Sequence, residues 1–160
     1  MIGIMSDSHD NMDAIKKAVK AFNEAKVDLV IHAGDMISPF TVKEIEKLNC
    51  DFKAVFGNND GERDGLRRFF KGICHHADFK ELEIVGKKFV VIHGTNEDLV
   101  DALVKSGKYD VVIRGHTHNL EINKGKCMMI NPGETCGYLS GKQTVLLLDP
   151  DNLNYETVLL

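Results

Sequence analysis

Residue types that bind metal ions recur in short polar clusters along the chain: Asp7-Ser8-His9, Gly34-Asp35, Gly57-Asn58-Asn59-Asp60, His93-Gly94 and Gly115-His116-Thr117-His118. Their imidazole, carboxylate and amide donors are all nitrogen or oxygen. Such a set suits divalent manganese, iron, cobalt, nickel or zinc, and does not suit Cu(I) or an iron–sulfur cluster. Each cluster alone also has a plain reading. Asp7 could cap a following helix, the Gly, Asn and Asp groups could be ordinary turns, and His93 could be a satisfied core histidine. His116 and His118 stand apart, because side chains two residues apart in extended backbone point the same way and suit one metal cluster. A structural role remains open for them too.

What joins the clusters is their position, since each directly follows a short run rich in apolar residues. Such runs occupy 1–5, 29–31, 54–56, 82–85, 89–92, 111–113, 127–130, 145–148 and 155–160, and they read as strands. Between the early ones, Met12, Ile15, Val19, Phe22 and Ala25 form a helical stripe. Ser38-Pro39 offers an N-cap and a first-turn proline before Val42, Ile45 and Leu48. A third helix is expected from Asn96, with Glu97 and Asp98 in its first turn and Leu99, Val100, Leu103 and Val104 facing inward. Strand, helix, strand implies parallel pairing. A hairpin turn at 85–88 and the turn-separated strands of the last third make the sheets mixed. In an open α/β sheet the carboxyl ends of the strands form the ligand-binding edge, so all these clusters can meet there.

The length of 160 residues is that of one compact domain, expected to span 1–160 and able to bury roughly 70% of its unfolded surface. Hydrophobic residues make up 43% and the net charge is -4, which argues against disorder and against an electrostatic track for a nucleic-acid polymer. Cys50, Cys74, Cys127 and Cys136 form no CxxC pair and are expected to be reduced thiols. The first residues lack the basic and long apolar regions of a signal peptide, and no uninterrupted apolar run is longer than four residues. A cytoplasmic protein without membrane contact is expected. His32 lies within a strand and is expected to be structural, and His75-His76 to be adjacent surface histidines. Asp60 is either a supporting residue or a turn residue, and Asn131 is expected in a rigid turn with Pro132 and Gly133 beside the site.

Taken in order, the five clusters resemble the signature of the calcineurin-like metallophosphoesterases. With Asn131-Pro132-Gly133 and the terminal strands, the whole chain resembles the small single-domain phosphodiesterases of that superfamily. The resemblance implies an α/β fold, a four-layer α/β/β/α sandwich of two mixed sheets flanked by helices. It implies two divalent ions, with manganese the expected metal: Asp7, His9 and His118 hold one, Asn58, His93 and His116 the other, and Asp35 bridges them. A hydroxide between the ions would then attack a small phosphodiester, with Asp35, Asn58, Asn59 and His116 at the reaction centre. Four protein ligands per ion leave open positions, as catalytic rather than structural sites do. Two carboxylates against two divalent ions leave an excess of about +2, suited to an anionic guest. The resemblance also implies a homodimer or higher homo-oligomer. The alternative it carries is a non-catalytic protein-interaction scaffold, as in the retromer subunit of similar fold; a nuclease fits the charge less well.

One position departs from the family pattern. Many members carry a histidine directly after the metal-binding asparagine, thought to protonate the leaving group, and here that position is Asn59. An amide is no general acid near neutral pH, and general acid catalysis is typically worth about 10²- to 10⁴-fold. We therefore expect the rate of diester hydrolysis to fall steeply as leaving-group pKa rises, and Asn59→His to flatten that dependence, helping poor leaving groups most. A plot of log rate against leaving-group pKa at saturating metal tests this. A flat wild-type plot with chemistry rate-limiting would assign the proton to another group.

Overall fold

Strand formation follows the apolar runs closely. The computed structural model describes residues 1–160 and contains β1 (Ile2–Met5), β2 (Leu29–His32), β3 (Asp51–Ala54), β4 (Phe79–Ile84), β5 (Lys87–Ile92), β6 (Val111–Ile113), β7 (Leu120–Asn123), β8 (Met128–Pro132), β9 (Thr144–Leu148) and β10 (Tyr155–Leu159). Four α-helices accompany them: α1 (Met12–Glu24), α2 (Val42–Ile45), α3 (Arg63–Phe69) and α4 (Glu97–Lys105). The strands form two five-stranded mixed sheets, ordered β10-β9-β1-β2-β3 and β4-β5-β6-β8-β7. In the first, β1, β2 and β3 run parallel, with Ile4 opposite Ile31 and Val30 opposite Phe52. In the second, β5, β6 and β8 run parallel, with Val91 opposite Ile113 and Ile113 opposite Ile130. The antiparallel strands lie outside these trios.

Burial on both faces explains the four layers. Ile2, Ile4 and Ile31 of the first sheet meet Phe89, Val91, Val111 and Ile130 of the second in a core between the sheets. The outer face of the first sheet packs Val30, Phe52 and Ala54 against Ile15, Val19 and Phe22 of α1, Ile45 of α2 and Leu66 of α3. The outer face of the second packs Val90, Ile92, Val112 and Met129 against Val100 of α4. Close approach of α1 depends on Gly3, since a Cβ there would stand 2.5 Å from the Phe22 ring. The expected α/β/β/α architecture is therefore the one observed. No helix is long and apolar enough to cross a membrane, and all four cysteines are free.

Several expectations are corrected in detail. β3 precedes the apolar run 54–56, because as an edge strand it exposes Asp51 and half-exposes Lys53 while burying Phe52 and Ala54. α3 and β7 were not expected; α3 is short and carries Gly65, and β7 is a mostly exposed, polar edge strand. Ser38 gives no side-chain cap to the turn after it, as its hydroxyl bonds Asp10 Oδ2 at 2.5 Å instead. In α4 Asn96 caps the helix as expected, accepting from Leu99 N, but Leu99 is 47% exposed and Val100 is the buried residue.

His76 is the largest departure, being only 1% exposed. Its ring lies 5.2 Å from that of Phe56 and 4.9 Å from that of Phe70, and neither nitrogen has a hydrogen-bond partner. Burial, with help from Lys80, His75 and Arg67, lowers its pKa to about 4. The unfolded chain, with an ordinary histidine near 6.5, binds that proton more readily. Stability from neutral His76 is therefore full above pH 6.5 and is lost as pH falls towards 4, by about 3 kcal/mol in all. We expect His76→Leu to gain on the wild type by about that amount between pH 7 and pH 4, measured by urea unfolding with chelator present so that metal release does not contribute. Parallel pH profiles would contradict the assignment.

Candidate metal centre

Six parallel strands end at one edge of the sandwich, and the chemistry-bearing residues follow them. Asp7 and His9 leave β1, Asp35 follows β2, Asn58 follows β3, His93 directly follows β5, and His116 and His118 follow β6. These segments turn sharply. Asp7 (φ 50°), His9 (φ 41°), Asp35 (φ 60°), His116 (φ 71°) and His118 (φ 60°) all occupy the left-handed region, which is uncommon for non-glycine residues and which Asp and His enter more readily than most. The expected extended backbone at 116–118 is thus not found, although both imidazoles do reach the same centre. Main-chain bonds hold the segments together: Asp7 N donates to Gly34 O (3.0 Å), His9 N to Asp35 O (3.1 Å) and Gly115 N to His93 O (3.0 Å).

All seven residues expected to bind metal come together. Asp35 Oδ2 stands 3.5 Å from His9 Nε2 and 3.3 Å from His93 Nε2, so it lies between two groups of rings. On one side Asp7 Oδ1 is 3.5 Å from His118 Nε2 and 3.9 Å from His9 Nε2, and the His9 and His118 rings are 5.0 Å apart. On the other, Asn58 Oδ1 is 3.0 Å from both His93 Nε2 and His116 Nδ1, and those two rings are 5.2 Å apart.

The donor chemistry fits cations. His93 donates its Nδ1–H to Ala33 O at 2.8 Å, so in the neutral ring its Nε2 lone pair faces the oxygens of Asp35 and Asn58, acceptor against acceptor, and only a proton or a cation relieves that. Nε2 of His9 is buried without any partner. Asp7 and Asp35 are buried, with histidines rather than lysine or arginine beside them. Burial raises the Asp7 carboxyl above its usual range, although the Ser6 hydroxyl and the histidines oppose it. Burial also raises Asp35, but the His93 ring and the Asn59 donors outweigh it and hold that carboxyl well below the usual range. His93 is pulled down by burial and more strongly up by Asp35, while burial lowers His116.

Surrounding residues fix these groups. Asp60 proves to be a supporting residue: Oδ2 accepts from Asp35 N (3.1 Å) and Gly57 N (2.7 Å), and Oδ1 from Ile37 N (2.6 Å). Asn59 donates from N to Asp35 Oδ1 (2.8 Å) and from Nδ2 to Asp35 Oδ2 (2.7 Å). His32 is structural as expected, with Nδ1 accepting from Gly34 N and Nε2 bonded to Ser8 Oγ at 2.9 Å; burial takes its pKa to about 3. Asn131 Nδ2 donates to Gly115 O and to Thr117 Oγ1, both at 2.9 Å, bracing the 115–118 segment. Buried Arg114 joins Gly94 O, Gly115 O and the Glu97 carboxylate, tying α4 to the His93 and His116 segments. Glu134 was missed. It follows β8 as the other clusters follow their strands, and its Oε2 lies 2.7 Å from His118 Nδ1. The signal was the same, a polar residue just past the apolar run 127–130.

An α/β/β/α sandwich with histidines and carboxylates gathered at its carboxyl edge defines a metallophosphoesterase. Residues 1–153 match the calcineurin-like phosphoesterase superfamily domain, and the chain belongs to that superfamily. It is 44% identical over 163 residues to phosphodiesterase MJ0936 of Methanocaldococcus jannaschii, covering 99% of this chain and 98% of that one. A solved archaeal phosphodiesterase superimposes with a TM-score of 0.95 at 44% identity, over 99% of each chain. Vps29 of Chaetomium thermophilum, at 16% identity and a TM-score of 0.74 over 99% of this chain and 95% of its own, shares the fold.

Space behind the centre is tight. A Cβ on Gly57 would collide with Asp35 Oδ1, whereas one on Gly61 would meet nothing within 4 Å. Gly57→Ala should therefore displace Asp35 and lower divalent-ion affinity by at least about tenfold, the effect seen when support of a ligand is lost, while Gly61→Ala leaves it unchanged. Calorimetric titration with Mn²⁺ of both variants, after confirming that each is folded, makes the comparison.

Proposed function

We propose that this phosphodiesterase hydrolyses a small phosphodiester with two divalent ions, one held by Asp7, His9 and His118, the other by Asn58, His93 and His116, with Asp35 shared. The observation that carries this reading is the set of acceptor atoms facing one another across the centre, with Asp35 Oδ2 between the two ring pairs. Two such ions, when bound, acidify water near neutral pH and draw charge from the phosphoryl oxygens. Nitrogen and oxygen donors favour manganese or a neighbouring first-row ion; Cys136 Sγ, the nearest thiol, bonds Glu134 instead.

The chain's own groups have separable tasks. Asp7 and Asp35 offset only half of the charge of two divalent ions, which leaves the centre attractive to an anion. Asn58 adds an oxygen without adding charge. Asn59, exposed at the edge, steadies Asp35 through two hydrogen bonds and has no proton to supply at neutral pH. Burial lowers the His116 pKa, which favours the neutral ring that can ligate an ion. Arg63 does not reach for substrate: its guanidinium bonds Asp60 O, Gly57 O and Asp78 and lies 4.7 Å over the Phe56 ring. A complete ligand set supports hydrolysis over a scaffold role, and the whole of 1–160 acts as one domain in this reading.

Chelator-treated protein should be inactive on an aryl phosphodiester and recover with Mn²⁺, binding two ions per chain by elemental analysis. Full activity in chelated protein would overturn the proposal. Asp35→Asn should cost more activity and more bound metal than Asp7→Asn, because Asp35 alone touches both ring pairs. Equal occupancy and rate in wild type and Asp35→Asn would remove Asp35 from its shared position.

A further inference from the structure

We propose that Glu134 is a positioning residue that fixes the tautomer of His118, so that Nε2 presents its lone pair to the ion held with Asp7 and His9. This rests on the two-ion reading above and deepens it. Glu134 is fully buried at the end of β8. Its Oε1 accepts from Ser140 N at 2.5 Å and Ser140 Oγ at 2.7 Å, and Leu139 N lies 3.0 and 3.1 Å from the two oxygens. The Cys136 thiol donates to Oε2 at 3.2 Å. These donors come from one loop and lock the carboxylate in a single orientation, with Oε2 also 2.7 Å from His118 Nδ1.

A carboxylate can only accept there, so His118 carries its proton on Nδ1. In the neutral ring Nε2 is then bare, and it stands 3.5 Å from Asp7 Oδ1. His93 is oriented in the same sense, but by the neutral Ala33 carbonyl. Behind His118 the partner is charged, which raises the basicity of the ligating nitrogen as well as setting its direction. A residue needed only to hold the 136–140 loop would have no use for the contact to His118, because the loop donors already occupy it.

Glu134→Gln separates the two roles. Its amide has one acceptor oxygen; turned to Ser140 and Leu139, that oxygen keeps the loop and leaves an NH₂ facing His118 Nδ1. The ring must then move its proton to Nε2, the nitrogen that binds the ion. In chelator-treated protein we expect ¹⁵N imidazole spectra to show His118 protonated on Nδ1 in the wild type and on Nε2 in Glu134→Gln. Mn²⁺ titration of the variant should show one of two ions weakened about 10- to 100-fold. Ser140→Ala, which removes only the hydroxyl's loop bonds to Glu134 Oε1 and to the Lys142 backbone, should keep both the tautomer and the two affinities.

A wild-type His118 protonated on Nε2, or a Glu134→Gln protein that holds both ions as the wild type does, overturns the proposal. The wild-type spectrum decides alone if the variant does not fold. Wild-type protein that takes up no divalent ion overturns the two-ion reading, and this inference with it. Two ions bound alongside the wrong tautomer overturn this inference only.

Discussion

Two buried carboxylates, Asp7 and Asp35, have no lysine or arginine in ion-pair contact. Removing each such charge from water costs on the order of several kcal/mol, and much of the local structure can be read as a response. Main-chain and side-chain donors converge on them: His116 N and the Ser6 hydroxyl on Asp7, both donors of Asn59 on Asp35. Three histidines supply the remaining contacts, and with neutral rings the Nε2 lone pairs of His93 and His118 turn inward beside the carboxylate oxygens. Hydrogen bonds thus reduce the cost without removing it, and a cation is the complement that the arrangement lacks. The need for that complement links strand-end chemistry to function more directly than any single residue does.

Geometry that brings these groups together comes from parallel pairing in both sheets. Asp7, Asp35 and Asn58 descend from β1, β2 and β3, while His93, His116 and His118 descend from β5 and β6. Each sheet supplies part of the centre, and the core between the sheets sets the distance across it. The packing of Ile4 and Ile31 against Val91 and Ile113 therefore acts on ligand spacing although none of these residues is itself a ligand.

How far this was legible in the sequence depended on which face each residue presents. Strands buried on both sides, such as β5 and β6, leave unbroken apolar runs, and the polar residue that ends each run is plainly marked. Edge elements leave no such trace: β7 is polar and mostly exposed, and β3 hides its start behind Asp51 and Lys53. α3 escaped because a seven-residue helix buries only Gly65 and Leu66. His76 was misread because its burial is owed to Phe56 and Phe70, residues whose meeting is a tertiary fact. The resemblance carried the grouping of ligands, whereas the left-handed turns that present them became visible only in three dimensions, as did the contact of Glu134 with His118, although Glu134 itself bore the strand-end signal.

Those turns have a consequence for how the protein can change over generations. A left-handed conformation at a non-glycine residue costs roughly 1 to 3 kcal/mol, and Asp7, His9, Asp35, His116 and His118 all adopt it. Glycine would relieve that strain at each position, so a lineage selected for sturdiness alone would drift towards silencing its own chemistry, losing ligands as it gained robustness. Adaptation to heat must instead find its improvements in the cores and on the surface. Positive φ is not confined to them, since Lys26, Val85 and Leu153 share it outside the ligand set; what distinguishes these five positions is that relieving the strain there would remove the very side chain the chemistry needs.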